Sequence, residues 1–245
     1  MRNGEFEFAA LAEVYDAECG WGIADDYVLE FVNRQINARV ADVGCGTGRL
    51  TVALAAAGHE VTGVDPALAS LSRARDRPQG DSVHWILGTA TALAPSVFDS
   101  VVMTAHVAQF LITDEEWEES FAAVHAALVS GGRLFFDSRN PAAKAWQEWN
   151  PNDSQRQVKL AGRYCRSWTE TAGTRDPAIT VDFTRHYEFS DGERLTSESS
   201  LRFRTENTIR ESLQRIGFEI DRISGSWPGE PAGAHEYLVE AHRLL

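Results

Sequence analysis

The chain has 245 residues, of which 43% are hydrophobic and 24% are charged, and its formal net charge is −13. This size and composition are typical of a soluble globular protein with a well-buried core. The negative charge disfavours a nucleic-acid partner, because phosphate backbones would be repelled. Arg202 and Arg204 alternate with apolar residues late in the chain, and we expect them on the solvated face of a strand.

The cysteines and the N-terminal residues indicate a cytoplasmic protein. Cys19, Cys45 and Cys165 are far apart, so we predict no metal site and no redox dithiol, and their low number suits a reducing compartment. The first residues include Glu5 and Glu7 and contain no long apolar run. We therefore expect no signal peptide, and no segment has the ~20 apolar residues that span a membrane.

The first half of the chain has the pattern of alternating strands and helices. Residues 6–17 and 25–37 are predicted to form amphipathic helices. Apolar strand-like runs then follow at 38–44, 59–65, 83–88, 98–106 and 133–140. Helix-like runs separate them, which predicts a parallel sheet covered by helices on both faces.

The clearest helix is predicted over residues 113–132. Thr113 and Glu116 have the spacing of a capping box at its start, and Gly131 is expected to end it. Trp117 and Phe121 recur at a helical interval on its apolar face.

The pattern changes to period-2 alternation from about Gly162 to Arg204. Residues 190–193 form a plausible hairpin turn, and a helix and two strands follow over 205–218, 218–227 and 235–245. A small antiparallel unit is therefore predicted as an insertion late in an α/β domain. We expect it to serve as a lid above the carboxyl ends of the parallel strands, or as a dimer surface.

Three alternating glycines, Gly44, Gly46 and Gly48, directly follow the first strand. A nicotinamide or flavin site prefers a glycine where this chain has Arg49, and no Lys-Ser or Lys-Thr pair of a phosphate loop follows. Asp65 ends the second strand, where a carboxylate can accept hydrogen bonds from both hydroxyls of a ribose. The alternative is that Asp65 only caps the helix that begins after it.

The stretch VADVGCGTGRLTVALAAAGHEVTGVDP, residues 40–66, resembles the first signature of the class I S-adenosylmethionine-dependent methyltransferases, D-x-G-x-G-x-G with an acid closing the second strand. The resemblance continues through FDSVVMTAHVAQFL, the helix after it and DSRNP, and it covers roughly residues 38–141. The C-terminal part is similar to small-molecule members, including sugar-amine N-methyltransferases.

The resemblance implies an α/β fold with a doubly wound, mostly parallel seven-stranded Rossmann-like sheet and a small antiparallel insertion between the fifth and sixth strands. The predicted division is N-terminal helices over 1–37, a cofactor-binding core over 38–141, the antiparallel insertion over 142–205, and a C-terminal helix with the last two strands over 206–245.

The implied cofactor is S-adenosylmethionine, and the implied product is S-adenosylhomocysteine. Thr89 stands where an aspartate is common in the family, so its hydroxyl and the Ala90 backbone are expected at the adenine. Tyr15 lies in a VYD stretch that closes over the cofactor in related enzymes, or it is a core-facing aromatic. The predicted cofactor-binding residues are Tyr15, Gly44, Cys45, Gly46, Asp65, Pro66, Thr89, Ala90, Ala105 and His106.

His106 is the candidate catalytic residue, because it follows the fourth predicted strand at its carboxyl end. It is expected to act as a base or to position the acceptor, and the alternative is that it only lines the cofactor. Gln109, Arg139 and Tyr187 are the predicted substrate residues. The expected reaction is methyl transfer to nitrogen or oxygen of a small-molecule acceptor. We expect no nucleic-acid or membrane partner, and we expect that the protein can form a homodimer.

Three other functions compete with this one. The chain could bind the cofactor without catalysis, or it could methylate a protein. A nicotinamide-dependent oxidoreductase is disfavoured by Arg49 and by the absence of an obvious hydride-transfer pair.

Overall fold

The computed structural model describes residues 4–175, 179–229 and 235–244. The helices are α1 (Gly4–Glu7), α2 (Ala9–Glu18), α3 (Ile23–Asn33), α4 (Arg49–Ala56), α5 (Leu68–Arg75), α6 (Asp114–Ala127), α7 (Pro151–Ser154) and α8 (Glu206–Ile216). The strands are β1 (Arg39–Val43), β2 (Glu60–Asp65), β3 (His84–Leu87), β4 (Phe98–Met103), β5 (Leu128–Arg139), β6 (Arg156–Lys159), β7 (Tyr164–Thr174), β8 (Thr180–Phe189), β9 (Arg194–Arg202), β10 (Phe218–Ser224) and β11 (Glu236–Arg243).

Seven strands form one sheet in the order β10-β11-β5-β4-β1-β2-β3. Neighbouring strands from β5 to β3 run parallel, and β11 runs antiparallel to both β5 and β10. The other four strands form a separate antiparallel sheet in the order β6-β7-β8-β9. The predicted fold class is confirmed, and the predicted residue limits of the four segments stay predictions.

Alternate residues of the central strands pack on opposite faces of the large sheet. In β5, Leu134 and Phe136 join a core with α6 and α8, whereas Phe135 joins a core with α3 and α4. This is the period-2 geometry of a strand buried on both sides. From β1 the chain continues through β2 and β3 on one side of the sheet and then returns to β4 on the other side. The strand order therefore reverses between β1 and β4, and ligands are expected beyond the carboxyl ends of these two strands.

The predicted capping box at α6 is present. The Thr113 hydroxyl accepts from the Glu116 backbone N–H (3.0 Å), and the Glu116 carboxylate accepts from the Thr113 N–H (2.9 Å). The expected end at Gly131 is wrong, because the helix ends at Ala127 and β5 begins at Leu128. Gly131 (φ +73°) lies where the pairing of β5 with β4 shifts register, an irregularity that a left-handed residue permits.

The antiparallel sheet covers the N-terminal helices and the loops that follow β4 and β5. Tyr187 and Phe189 pack with Leu11 and Val14 of α2. At the other end of β8, Val181 belongs to a cluster that also contains Leu201, Phe203, Phe110, Trp146 and Trp149. Because Phe110 follows β4 and the two tryptophans follow β5, this sheet lies at the carboxyl ends of the parallel strands.

Arg204 does not lie on a solvated face, contrary to the expectation from the sequence. It is 3% exposed, its guanidinium lies 4.3 Å from the centre of the Trp117 ring, and it donates to the carbonyls of Leu111 (2.8 Å) and Thr113 (3.0 Å). Burial lowers its pKa to about 10. Arg204 therefore joins the end of the small sheet to the loop before α6. Among the described helices, none is long and apolar enough to cross a bilayer.

Candidate functional site

The glycine loop after β1 has one side packed against the protein and one side open. Gly44, Gly46 and Gly48 all have left-handed φ values, of +73°, +54° and +77°. A Cβ on Gly44 would lie 2.5 Å from Val107, and one on Gly48 would lie 2.7 Å from Trp85. A Cβ on Gly46 would have no atom within 4 Å. The backbone at Gly46 is thus the part of the loop that a ligand can approach closely.

Asp65 lies at the end of β2 beside this open backbone. It is 7% exposed, and its two carboxylate oxygens accept from the N–H groups of Gly46 and Ala67, each at 2.8 Å. Burial raises its pKa, against the effect of these two hydrogen bonds. The contact with Ala67 is the turn expected before α5. Each oxygen keeps a further lone pair, so the two interpretations of Asp65 are compatible.

Asp42 of β1 is a second carboxyl group under the loop. It is 1% exposed, and its Oδ2 accepts from the Thr51 hydroxyl at 2.6 Å. Its Oδ1 has no hydrogen-bond partner among the described residues. Burial raises the pKa of Asp42 to about 7, with the Thr51 hydrogen bond acting against the shift.

The predicted adenine side combines a hydroxyl with exposed apolar side chains. Thr89 is exposed, and its hydroxyl lies 2.9 Å from that of Thr91, while Ala90 is 1% exposed. Leu87, which is paired with Asp65 between β3 and β2, is 54% exposed, and Leu68 is 55% exposed. Sequence reasoning missed these leucines, since hydrophobicity along the chain does not reveal exposure. Pro66 is also exposed.

Helix α2 is tied directly to the glycine loop. Its Asp16 carboxylate accepts from the Thr47 hydroxyl, from Arg73 Nε (3.1 Å) and from Arg77 Nη2 (2.6 Å). Arg77 Nε also donates to the Thr47 carbonyl at 2.5 Å. The loop, α2 and the end of α5 therefore form one polar network.

The residues next to this network include two of the predicted cofactor contacts. Burial raises the pKa of the Tyr15 phenol, whose ring lies 6.1 Å from that of Phe6. Burial also raises the pKa of the Cys45 thiol well above its ordinary value, so the thiol is protonated at neutral pH. Arg49, at the position of the third dinucleotide glycine, donates to Asp25 at 2.6 Å.

The turn after β4 places His106 against two carboxyl groups. Ala105 and His106 both have left-handed backbones, with φ of +55° and +64°, which is a costly conformation for residues with a Cβ. The His106 N–H donates to Asp137 Oδ2 at 3.0 Å. The imidazole Nε2 lies 2.8 Å from Glu236 Oε1 and 3.3 Å from Asp137 Oδ2. Asp137 and Glu236 come from β5 and β11, and no local sequence pattern predicted a role for either.

The two carboxyl groups beside His106 have pKa values displaced in opposite directions. Burial raises the pKa of Asp137, which is 1% exposed, against the charge of His106. Burial also acts to raise the pKa of Glu236, but hydrogen bonds from His106 and Trp227 and the charges of His106 and Arg139 outweigh it and lower the pKa. The Trp227 indole N–H donates to Glu236 Oε2 at 2.6 Å. The surroundings therefore favour the charged form of Glu236 and the neutral form of Asp137.

These side chains also have the spacing of a metal site. His106, Asp137 and Glu236 each offer one ligand atom, and these three atoms lie within 4.8 Å of one another. Two carboxylates and an imidazole suit a divalent cation. However, Nε2 cannot ligate a metal while its proton is donated to Glu236, so hydrogen bonding and ligation are alternatives here.

Gln109 and Arg139 lie together next to this cluster. Gln109 is 1% exposed, and its Oε1 accepts from Arg139 Nη1 at 3.0 Å. The guanidinium lies 5.7 Å from the centre of the Trp149 ring, and burial lowers its pKa, against the charges of Glu236 and Asp137. The structure thus brings together three of the predicted residues, His106, Gln109 and Arg139.

Tyr187 is placed in a different cluster. It is 2% exposed, it packs among residues of α2 and the small sheet, and its hydroxyl lies 3.4 Å from Glu5 Oε2. Burial raises its pKa. The period-2 pattern predicted which face of the sheet Tyr187 lies on, but it could not predict that α2 covers that face. A substrate role for Tyr187 stays a prediction.

The comparisons with known proteins find methyltransferases. A family model described as a methyltransferase domain matches residues 40–132. Cypemycin N-terminal methyltransferase from a Streptomyces species is 29% identical over 228 residues, which covers 86% of each chain. These matches support a class I S-adenosylmethionine-dependent methyltransferase. Two further curated methyltransferases match it over only 50% and 59% of their own length.

Solved structures share the whole fold of this chain. CcbJ from Streptomyces caelestis has a TM-score of 0.77 at 18% identity, and the match covers 100% of this chain and 99% of that one. CalS10 from Micromonospora echinaspora, an amino pentose methyltransferase solved with S-adenosylmethionine, has a TM-score of 0.70 at 22% identity, with 96% and 97% covered. At these identities the likeness shows the fold.

Proposed function

We propose that this protein is a methyltransferase that uses S-adenosylmethionine to methylate nitrogen or oxygen of a small-molecule acceptor. The observation that carries the proposal is the open backbone at Gly46 beside the buried Asp65 carboxylate, with His106 at the end of the neighbouring strand. CalS10, similar in fold, is an amino pentose methyltransferase. This neighbour supports a small polar acceptor.

The residues present suit the cofactor. The open Gly46 backbone would take its methionine part, Asp65 its ribose hydroxyls, and Leu87 with Thr89 and Ala90 its adenine. When bound, S-adenosylmethionine supplies a methyl group on a positively charged sulfur. Helix α2, tied to the loop through Asp16, would exclude water from that side.

The protein's contribution to the transfer is orientation and proton removal. Methyl transfer is an in-line displacement, so the acceptor atom must be held opposite the leaving sulfur. Arg139 and Gln109 would hold a polar acceptor, and His106 would take its proton. The antiparallel sheet would close the site from above, since its Phe110–Trp146–Trp149 cluster adjoins the same loops.

A peptide amine is the second candidate acceptor. Cypemycin N-terminal methyltransferase is named for methylation at an N-terminus, which is an α-amine, and it matches 86% of this chain. An α-amine is chemically close to an amino sugar nitrogen, because each must lose a proton before it attacks. Assays with both acceptor classes separate these candidates.

Calorimetry with S-adenosylhomocysteine tests the proposed function. Wild type is expected to bind, and Asp65→Ala to bind about 100-fold more weakly, because hydrogen bonds to a charged group are lost. Gly46→Ala should abolish binding, since its methyl group would occupy the open space. Gly131→Ala is the matched control, with φ +73° and equally open surroundings away from the site.

Two results would contradict the proposal. One is the absence of heat with the folded wild-type chain, and the other is equal binding by the Gly46→Ala and Gly131→Ala variants. With binding established, transfer of a labelled methyl group to a panel of amino sugars, hydroxylated aromatics and short peptides would identify the acceptor class.

A further inference from the structure

The two ring nitrogens of His106 have different surroundings. Its Nε2 faces Glu236 Oε1 at 2.8 Å, whereas Nδ1 has no hydrogen bond among the described residues. Glu236 is itself fixed, because Trp227 donates to its other oxygen at 2.6 Å. An indole N–H can only donate, so it holds that carboxylate oxygen as an acceptor.

We infer that Glu236 is a positioning residue for His106: it accepts the Nε2 proton and so leaves the lone pair on Nδ1 to receive the proton of the methyl acceptor. This inference rests on the proposed function, and it assigns a role to a strand-β11 side chain that lies 130 residues beyond His106 in the chain. It also identifies which imidazole nitrogen does the chemistry.

Asp137 has a different role in the same cluster. Its Oδ2 accepts from the His106 backbone N–H at 3.0 Å and so holds a left-handed turn that is otherwise unfavourable. It lies farther from Nε2, at 3.3 Å, and burial raises its pKa while that of Glu236 is lowered. Two neighbouring carboxyl groups with pKa values moved apart indicate separate tasks.

The charges are consistent with proton transfer to Nδ1. In the transfer, the acceptor atom forms a bond to the methyl carbon while the carbon–sulfur bond breaks and its electron pair stays on sulfur. The acceptor's proton moves to Nδ1, and the resulting imidazolium lies against the Glu236 carboxylate. The charged groups of the cluster are Asp137 and Arg139 from β5 and Glu236 from β11. The negative charge of Glu236 therefore stabilises the cation where it forms.

Substitution of Glu236 by glutamine should reverse the imidazole tautomer. The glutamine has one oxygen for two donors, Trp227 and His106. The indole has no alternative to donating, so the amide oxygen is expected to face Trp227 and the amide NH₂ group to face Nε2. The other carboxylate, Asp137, lies farther from Nε2, at 3.3 Å, and its Oδ2 already accepts from the His106 backbone N–H. Nε2 is therefore expected to accept from the amide, and the proton moves to Nδ1. Trp227→Phe in the same chain removes this constraint and should restore much of the original tautomer.

Nitrogen-15 NMR of the histidine-labelled full chain measures this directly. The protein has seven histidines, and the His106→Asn variant identifies the signal. Wild type is expected to show the Nε2–H form, Glu236→Gln the Nδ1–H form, and the double variant a return toward the Nε2–H form. Glu240→Gln is the matched control on β11, where the carboxylate binds Tyr27 and Arg34 instead, and it should leave the signal unchanged.

Kinetics and calorimetry separate this inference from the proposed function. With an accepted substrate, kcat of Glu236→Gln should fall about 100-fold or more, with KM and S-adenosylhomocysteine affinity within about twofold of wild type. Failure of wild type to bind S-adenosylhomocysteine would refute the proposed function and leave the tautomer result standing. An Nε2–H signal that persists in Glu236→Gln overturns the inference. So does activity abolished by EDTA and restored by Mg²⁺, since the three side chains would then be ligands.

Discussion

Asp42 is an acidic residue buried in the middle of the large sheet. It lies in the central strand β1, 1% exposed, with a hydroxyl on one oxygen and no partner for the other among the described residues. An ionised carboxylate in such a position lacks part of its solvation. Its pKa of about 7 expresses this, because the folded state favours the protonated form.

This shift predicts that Asp42 makes the free energy of unfolding fall as pH rises. Its folded pKa of about 7 lies above the ordinary 3.8, so the folded state binds one proton more between these values, and stability is lost through this window. Asp42→Asn should be more stable than wild type near pH 8, by up to about 4 kcal/mol, and the gain should shrink toward pH 5. Urea unfolding at both pH values measures it.

Asp99→Asn is the control, because the pKa of Asp99 is shifted in the opposite direction to that of Asp42. The Arg39 guanidinium holds the pKa of Asp99 below its ordinary value, against the effect of burial. Both states ionise Asp99 across the window, so the variant should lose the same stability near pH 5 and near pH 8. If Asp42→Asn also changed the free energy of unfolding by the same amount near pH 5 and near pH 8, the raised pKa of Asp42 would be refuted.

Local spacing predicted one part of the site and not the other. Gly46 and Asp65 belong to one β-loop-helix-β unit, so their approach follows from the order of elements. Glu236 and Asp137 meet His106 only because β11 returns antiparallel beside β5, and that register depends on tertiary packing. A lone glutamate late in the chain carries no signal of that contact.

At the scale of elements, α2 connects the glycine loop to the antiparallel sheet. Asp16 binds the loop and the arginines after it, and Glu18 pairs with Arg185 of β8 at 2.5 Å. Ser167 of β7 also donates to Glu18. The helix is therefore fixed at both sides by charged groups, and a ligand under it would be released only when these contacts open.

Loosening α2 should speed the dissociation of S-adenosylhomocysteine. Asp16→Ala removes the contacts with Thr47, Arg73 and Arg77, each a partly exposed interaction worth up to about 1 kcal/mol, so the dissociation rate should rise about tenfold. Amides of Ala9–Glu18 should exchange faster with deuterium. Stopped-flow fluorescence and hydrogen exchange measure the two effects.

Glu13→Ala is the matched variant on the same helix. The described structure gives Glu13 no hydrogen bond or ion pair, so this variant should leave both rates near those of wild type. If Asp16→Ala exchanged and released ligand as slowly as Glu13→Ala does, α2 would not control access to the site.

At the scale of the whole molecule, the net charge of the protein acts differently on S-adenosylmethionine and on S-adenosylhomocysteine. The chain carries a formal charge of −13, and S-adenosylmethionine has a net charge of +1 at neutral pH, whereas S-adenosylhomocysteine has none. A negative field attracts the cation and not the neutral product, and dissolved salt screens this attraction. The same field opposes anionic acceptors, in agreement with an amine or a neutral hydroxyl as the methylated group.

The association rate constant of S-adenosylmethionine should therefore depend on salt more steeply than that of S-adenosylhomocysteine. Between about 20 mM and about 500 mM NaCl, we expect the first to fall about threefold to tenfold and the second by less than about twofold. Rapid mixing with intrinsic tryptophan fluorescence gives both rates on the same sample, since the chain contains seven tryptophans. Equal salt dependence for the two ligands would show that local contacts alone, such as Asp65 and the Gly46 backbone, attract the cofactor.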